Sequence, residues 1–241
     1  MPSERKKLRL PSGPDKILEA GVKFLDQFWD RSQYEIGGGT VLAARWHHRH
    51  STDVDCSMNE ETFRLVNENE SSSMISSLGE LEDIGALQDK ELHSRVLVLD
   101  FTDLGQLSLV AGNRLTRSCQ VQEYEVSTGI RLEPTAEILA KKIAFRVLDG
   151  RWKQRDFFDL VVSSNCEPEA YKIAIDVLTD KEKNAVGEIL RSRLLGSTLE
   201  IGDVQEPFDQ DVADSTWDLA AQLLEGKDIN LPSLPGRETP P

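Results

Sequence analysis

The sequence predicts an α/β (α+β) protein, with a mixed sheet of about five strands in the first half and a helical C-terminal bundle after it. Three observations carry this. Segments between residues 34 and 126 include runs that alternate polar and apolar residues at the period of a strand. Beyond Pro134, apolar positions recur at helical spacing, and a run of three glycines joins a short extended segment to a helix-forming one. At roughly 150 residues per domain, a chain of 241 residues can bury a sizeable core without disulfides or structural metal.

Ser12-Gly13-Pro14-Asp15 starts the first helix, and Leu18, Val22, Leu25 and Trp29 form its apolar stripe, so it is expected to run to about Arg31. Tyr34-Glu35-Ile36 is a short strand stopped by Gly37-Gly38-Gly39, and residues 40–46 are good helix formers. Residues 53–58 alternate as a strand does, with Val54, Cys56 and Met58 on one face and Asp53 and Asp55 on the other. Residues 60–78 are helical, with 67–73 polar enough to be a loop within them. Residues 95–101, a turn at Asp103-Leu104-Gly105, and residues 106–111 read as strand, turn, strand, and 119–126 is expected to add one more. Helices are expected at 135–148, 155–163, 168–178 and 181–195. The rest is acidic, with a short helix near 216–224 and a final dozen residues expected to be disordered. The chain thus divides into a core at 1–132, a helical domain at 133–200 and an acidic, partly disordered tail at 201–241.

Twenty-eight Lys and Arg against 42 Asp and Glu leave a net charge of −14, which argues against a general basic surface for nucleic acid. The excess is local, however. Residues 59–91 hold nine acids against Arg64 and Lys90, residues 200–218 hold seven acids and no base, and the remainder balances. Cys56, Cys119 and Cys166 are odd in number and match no zinc-ligand spacing, which fits a reduced, cytoplasmic compartment. No apolar run approaches the roughly 18 residues of a membrane span, and no apolar stretch follows the basic N-terminus.

The densest chemical signal is Gly37-Gly38-Gly39-Thr40 followed by Arg49-His50-Ser51-Thr52-Asp53-Val54-Asp55. Glycines allow close backbone approach, a helix N-terminus favours phosphate, and Thr40 offers a hydroxyl. Two carboxylates at i and i+2 of a strand share a face and can jointly hold a divalent cation. Neither the G-x-x-x-x-G-K-[ST] loop nor G-x-G-x-x-G after a strand is present. A second constellation places Lys142 on one helix and Arg155, Asp156 and Asp159 on the next, the two aspartates sharing a face at i, i+3. Asp100, ending an apolar strand, is the candidate third carboxylate. His47, His48 and His50 match no common ligand spacing and fit a structural or phosphate-facing loop. Lys141, Lys142, Arg146, Arg151, Lys153 and Arg155 stand against Asp149 alone between 141 and 155. That strip suits an RNA edge, and an ordinary solvated helix pair accounts for it equally.

The segments Gly-Gly-[ST]-x-Leu at 38–42, Arg-x-[ST]-x-Asp-x-Asp at 49–55, and Lys142 with Arg-Asp-x-x-Asp at 155–159 together resemble the AbiEii/AbiGii-type nucleotidyltransferase toxins of phage-defence toxin–antitoxin systems. The resemblance covers about residues 34–161. It implies a polymerase-beta-like nucleotidyltransferase core that binds a nucleoside triphosphate (NTP) with Mg2+ or Mn2+ and transfers a nucleotide to an acceptor, tRNA or other RNA. On it, Asp53 and Asp55 are metal ligands, with Asp100 as a candidate third. Gly38, Gly39, Thr40, Arg49 and Ser51 hold the nucleotide, Lys142 contacts the triphosphate, and Asp156 is the general base or a further ligand. A cognate antitoxin is the implied protein partner. Two alternatives stand beside it: a transferase acting on a small, antibiotic-like acceptor, and an inactive module that binds nucleotide or a partner. The acidic segments at 59–91 and 200–218 lie outside the motif core.

Overall fold

The computed structural model describes residues 6–83, 87–93, 95–116, 124–195 and 204–234, which fall into two compact units. The first unit comprises Met1–Ala44, Ser51–Arg114 and Gln120–Glu133. Its elements are β1 (Lys6–Lys7), α1 (Ser12–Leu25), β2 (Tyr34–Gly37), most of α2 (Gly38–Trp46), β3 (Val54–Met58), α3 (Glu60–Asp83), β4 (Leu87–Leu92), β5 (Val96–Phe101), β6 (Gly105–Ala111) and β7 (Tyr124–Glu125). Five strands form one sheet in the order β2-β3-β6-β5-β4. Only β3 and β6 run parallel, so the sheet is mixed as the sequence predicts.

Alternation decides which face of the sheet is core. Val54, Cys56 and Met58 of β3, Leu97, Leu99 and Phe101 of β5, and Leu107 and Leu109 of β6 are buried, and α1 lies against β6 and β3. Burial of this kind contributes about 1.5–3 kcal/mol for each large apolar side chain. The opposite face of β3 and β6 carries Asp55, Ser57, Gln106 and Ser108, all half-buried. The outer edge of β2 is covered by the segment 131–133, where Ile36 N–H donates to Arg131 O and Glu133 N–H donates to Ile36 O.

Three elements differ from the sequence expectation. α1 ends at Leu25 and runs on as turns to Trp29, whose N–H donates to Leu25 O; beyond it Asp30 accepts bonds from the backbone N–H and hydroxyl of Ser32, a local turn that competes with helix. Trp29 is nevertheless buried, stacked on Phe63 with ring centroids 5.8 Å apart. α3 runs unbroken through 67–73: the stretch has no proline or glycine, and Phe63 before it and Met74 and Leu78 after it are buried. The fifth strand of the sheet is β4, which the sequence did not predict. Only Leu87 of β4 is buried, so the strand shows weak alternation, and its charges suit a sheet edge. Of the strand expected at 119–126, Tyr124–Glu125 pairs with β1 in a separate two-stranded sheet, and 119–123 lie outside the described residues.

The second unit comprises Arg45–His50, Leu115–Cys119 and Pro134–Pro241. It contains α4 (Thr135–Lys142), a π-helical turn (Ile143–Val147), α5 (Gln154–Cys166), α6 (Pro168–Asp176), α7 (Asp180–Leu195), α8 (Gln210–Asp214) and α9 (Thr216–Leu224). The helix expected at 135–148 is therefore α-helical only to Lys142. α5 packs against α6 and α9, α4 against α6, and α7 against α9. The acidic stretch belongs to this packing: Trp217 lies edge-on to Trp152 and close to Phe157, and Gln154 Nε2 donates to Ala213 O at 2.7 Å. Of the final dozen residues, 230–234 are described and Leu234 is buried. Residues 196–203 and 235–241 lie outside the described residues. Cys56 and Cys166 are buried free thiols, and Cys119 is outside the described residues. Among the described residues, no helix is long and apolar enough to cross a membrane.

Candidate functional site

The junction of β2 and α2 sets the geometry of the first unit's site. The glycines expected as a separate turn are absorbed into the two elements: Gly37 ends the strand and Gly38 opens the helix, with φ +69° at Gly38. This left-handed conformation suits glycine. Space demands it as well, because a β-carbon on Gly38 would stand 2.7 Å from the Cβ and Cγ of Asp55. Gly37 is constrained similarly by Glu133, whose Cδ would be 2.8 Å from a β-carbon there. The first N–H groups of a helix have no intrahelical acceptor and carry the positive end of its dipole. In α2 they belong to Gly38, Gly39 and Thr40, beside the Asp55 carboxylate.

Thr40, 1% exposed, donates its hydroxyl to the Asp53 carbonyl and lies 2.9 Å from Ser51 Oγ. This contact ties α2 to the segment entering β3. β3 begins at Val54, so Asp53 stands one residue before the ladder, with Oδ1 3.4 Å from the Thr52 hydroxyl. Asp55 lies within the ladder, and its Oδ1 accepts a hydrogen bond of 3.0 Å from Ser108 Oγ. Two residues on, Ser57 donates to Glu133 Oε1 at 2.5 Å. Asp100 is opposite Gln106 and Asp89, while the residue opposite Asp55 is Ser108. By strand spacing, Asp55 and Asp100 are roughly 11 Å apart at their α-carbons. Among the described residues, no group of three or more His, Cys, Asp and Glu side chains is arranged to hold a metal ion.

The remaining expected site residues lie in the second unit, in a buried ion-pair cluster. Lys142 Nζ is 2.7 Å from Asp156 Oδ1 and 3.1 Å from Asp159 Oδ2, with the lysine side chain 6% exposed. Arg49 grips Asp159 with two bonds, Nε to Oδ1 at 2.7 Å and Nη2 to Oδ2 at 2.9 Å, and its Nη1 donates to His50 O. His48 Nε2 is 2.8 Å from Asp159 Oδ1, and its ring stacks on Phe158 with the edge of Trp46 nearby. Asp156 Oδ2 also accepts from the Lys153 N–H, which caps α5.

Burial by itself would raise the Asp159 carboxyl, but the charges of Arg49 and Lys142 and the bonds from Arg49 and His48 hold it well below the usual carboxylate range. Asp156 follows the same balance, with burial opposed chiefly by Lys142. Burial pushes the His48 imidazole down, against the bond to Asp159 that favours its charged form. Four of the six cations expected to form a basic strip are paired within the unit: Lys141 with Glu137, Lys142 with both aspartates, Arg146 with Asp156 and Arg151 with Asp149.

His48, expected in a structural or phosphate-facing loop, is instead a buried partner of Asp159, and Ser57, Ser108 and Glu133 do not stand out in the sequence as site residues. Ser57 and Ser108 had a weak signal, as small polar residues on the carboxylate face of alternating strands. Nothing local marks Glu133, which lies far along the chain from Gly37, the glycine it packs against.

No known family profile matches the chain, and no curated protein matches it. Among solved structures, it is similar to the STING-associated CdnE c-di-GMP synthase from Capnocytophaga granulosa, at 12% identity over 88% of this chain and 78% of that one, with a TM-score of 0.32.

Proposed function

We propose that the chain is a nucleotidyltransferase of the AbiEii/AbiGii type, using an NTP and Mg2+ or Mn2+ to modify an acceptor hydroxyl, with RNA such as tRNA as the acceptor class. The observation that carries the reading is the β2–α2 junction, where a carboxylate from β3 packs against the glycine that opens a helix. The donor set suits a hard divalent cation, since Asp53 and Asp55 present carboxylate oxygens in a half-buried setting. When bound, such a cation supplies neutralising charge for the triphosphate. The N–H groups opening α2, at the positive end of its dipole, face negative charge favourably and suit the departing phosphates. In the reaction, the acceptor oxygen bonds to the α-phosphorus, the bond to the bridging oxygen breaks, and pyrophosphate leaves with that electron pair. The resemblance adds a triphosphate contact at Lys142 and a general base at Asp156, and an antitoxin as partner.

A second reading, a module that binds nucleotide without turnover, is favoured by the engagement of Lys142 and Arg49 with Asp156 and Asp159. One assay separates the two. Purified protein is incubated with each α-labelled NTP, Mg2+ and total RNA, beside Asp53→Ala. Label entering a tRNA band and lost in the variant supports transfer to RNA. Nucleotide binding without movement of label supports the second reading.

A further inference from the structure

We infer that Ser108 is a positioning residue that fixes the Asp55 carboxylate for cation binding, an inference that rests on the nucleotidyltransferase reading. β6 runs parallel to β3 with Ser108 directly opposite Asp55, and the hydroxyl reaches Asp55 Oδ1 at 3.0 Å. The other oxygen, Oδ2, lies where Gly38 has no β-carbon. One oxygen is thus held by a donor on the neighbouring strand, and the other is turned to the opening of α2. This fixes the rotation of the carboxylate about its Cβ–Cγ bond, which a free aspartate samples broadly.

Of the two residues directly opposite Asp55, Gly37 and Ser108, only Ser108 has a side chain that could reach the same cation. A neutral hydroxyl there leaves Asp53 and Asp55 as the acidic ligands and orients one of them. A partner that orients a metal ligand typically contributes ten- to a hundredfold in metal affinity.

The test is Mn2+ binding to the full chain, followed by electron paramagnetic resonance without nucleotide, with thermal melts to verify folding. The variants are Ser108→Thr, Ser108→Val, Ser108→Asp and Asp55→Asn. Thr and Val have the same shape and differ by the hydroxyl, so their comparison isolates it from packing. Ser108→Thr is expected to bind within about twofold of the parent, and Ser108→Val about tenfold more weakly. Ser108→Asp is expected to bind more tightly, having gained a carboxylate. Equal affinities for the Thr and Val variants, with binding lost in Asp55→Asn, would overturn the role of Ser108 and leave the cation site standing. Absence of Mn2+ binding by the parent, or unaltered binding by Asp55→Asn, would overturn the cation site itself.

Discussion

Gly38 shows how one residue can be required twice, by backbone conformation and by space. A side chain at φ +69° costs roughly 1–2 kcal/mol, and its β-carbon would also displace the Asp55 carboxylate. Gly38→Ala is therefore expected to destabilise the protein by about 2 kcal/mol or more. Gly79 lies inside α3 with nothing within 4 Å of an added β-carbon, so Gly79→Ala is expected to stabilise by about 0.5–1 kcal/mol. Denaturant titration of both variants checks the contrast, and similar effects would refute it. His48 supplies the pH dependence at this scale. Burial, its largest influence, lowers its folded-state pKa below the ordinary 6.5, so the unfolded chain takes up the proton first. Its contribution is complete above pH 6.5 and declines as pH falls toward the folded value, by at most about 1.4 kcal/mol per pH unit. Unfolding free energies at pH 7.5 and 5.5 are expected to show this loss. His48→Gln, which keeps a donor for Asp159 and does not titrate, is expected to reduce it.

At the scale of elements, α3 and the ion-pair cluster each follow from partners far away in sequence. A helix whose middle is polar persists because its two ends are anchored by Phe63, Met74 and Leu78, and stability of this kind comes from packing more than propensity. Proline in a helix interior costs about 3 kcal/mol, whereas a loop tolerates it. Ser72→Pro is accordingly expected to lower stability by about that amount and reduce far-ultraviolet ellipticity, and near-parental values would restore the loop. The cluster around Asp159 joins Arg49 and His48 to Lys142 and α5. Asp159→Ala would leave two buried cationic side chains without that partner, and removing one member of a buried pair costs about 3–5 kcal/mol. Chemical denaturation measures this directly, and a loss below about 1 kcal/mol would show that the cluster is not a keystone of the second unit.

For the molecule as a whole, stability and the proposed activity are expected to separate. Asp53 stands before β3 and outside the buried ion pairs, so Asp53→Ala is expected to shift unfolding by no more than about 0.5 kcal/mol. The same change is expected to reduce nucleotide transfer by a thousandfold or more, because it removes charge neutralisation aimed at the reacting phosphate. Parallel melts and label-transfer assays decide this, and transfer within tenfold of the parent would reject Asp53 as a metal ligand. The net charge of −14 includes the seven acids at 200–218, and the described part of that stretch packs through Val212, Ala213 and Trp217. Glu206, Asp211, Asp214 and Asp218 are exposed on this folded segment, and Asp209 caps α8 by accepting from the Val212 N–H.

Residue order alone determined the period-2 strands around Val54–Met58 and Val96–Ala111, the helical second half with a helix at Thr216–Leu224, and the adjacency of glycines to the Asp-x-Asp segment. These are legible because alternation, helical spacing and turn chemistry act between near neighbours. Tertiary structure decided what depends on partners beyond the local pattern: that Ser108 and not Asp100 stands opposite Asp55, that Glu133 lies against Gly37, and that Arg49 and Lys142 bond to Asp159. The physical reason is that register and burial bring together residues 17 to 110 positions apart, and no local pattern in the chain encodes which side chain a carboxylate will meet.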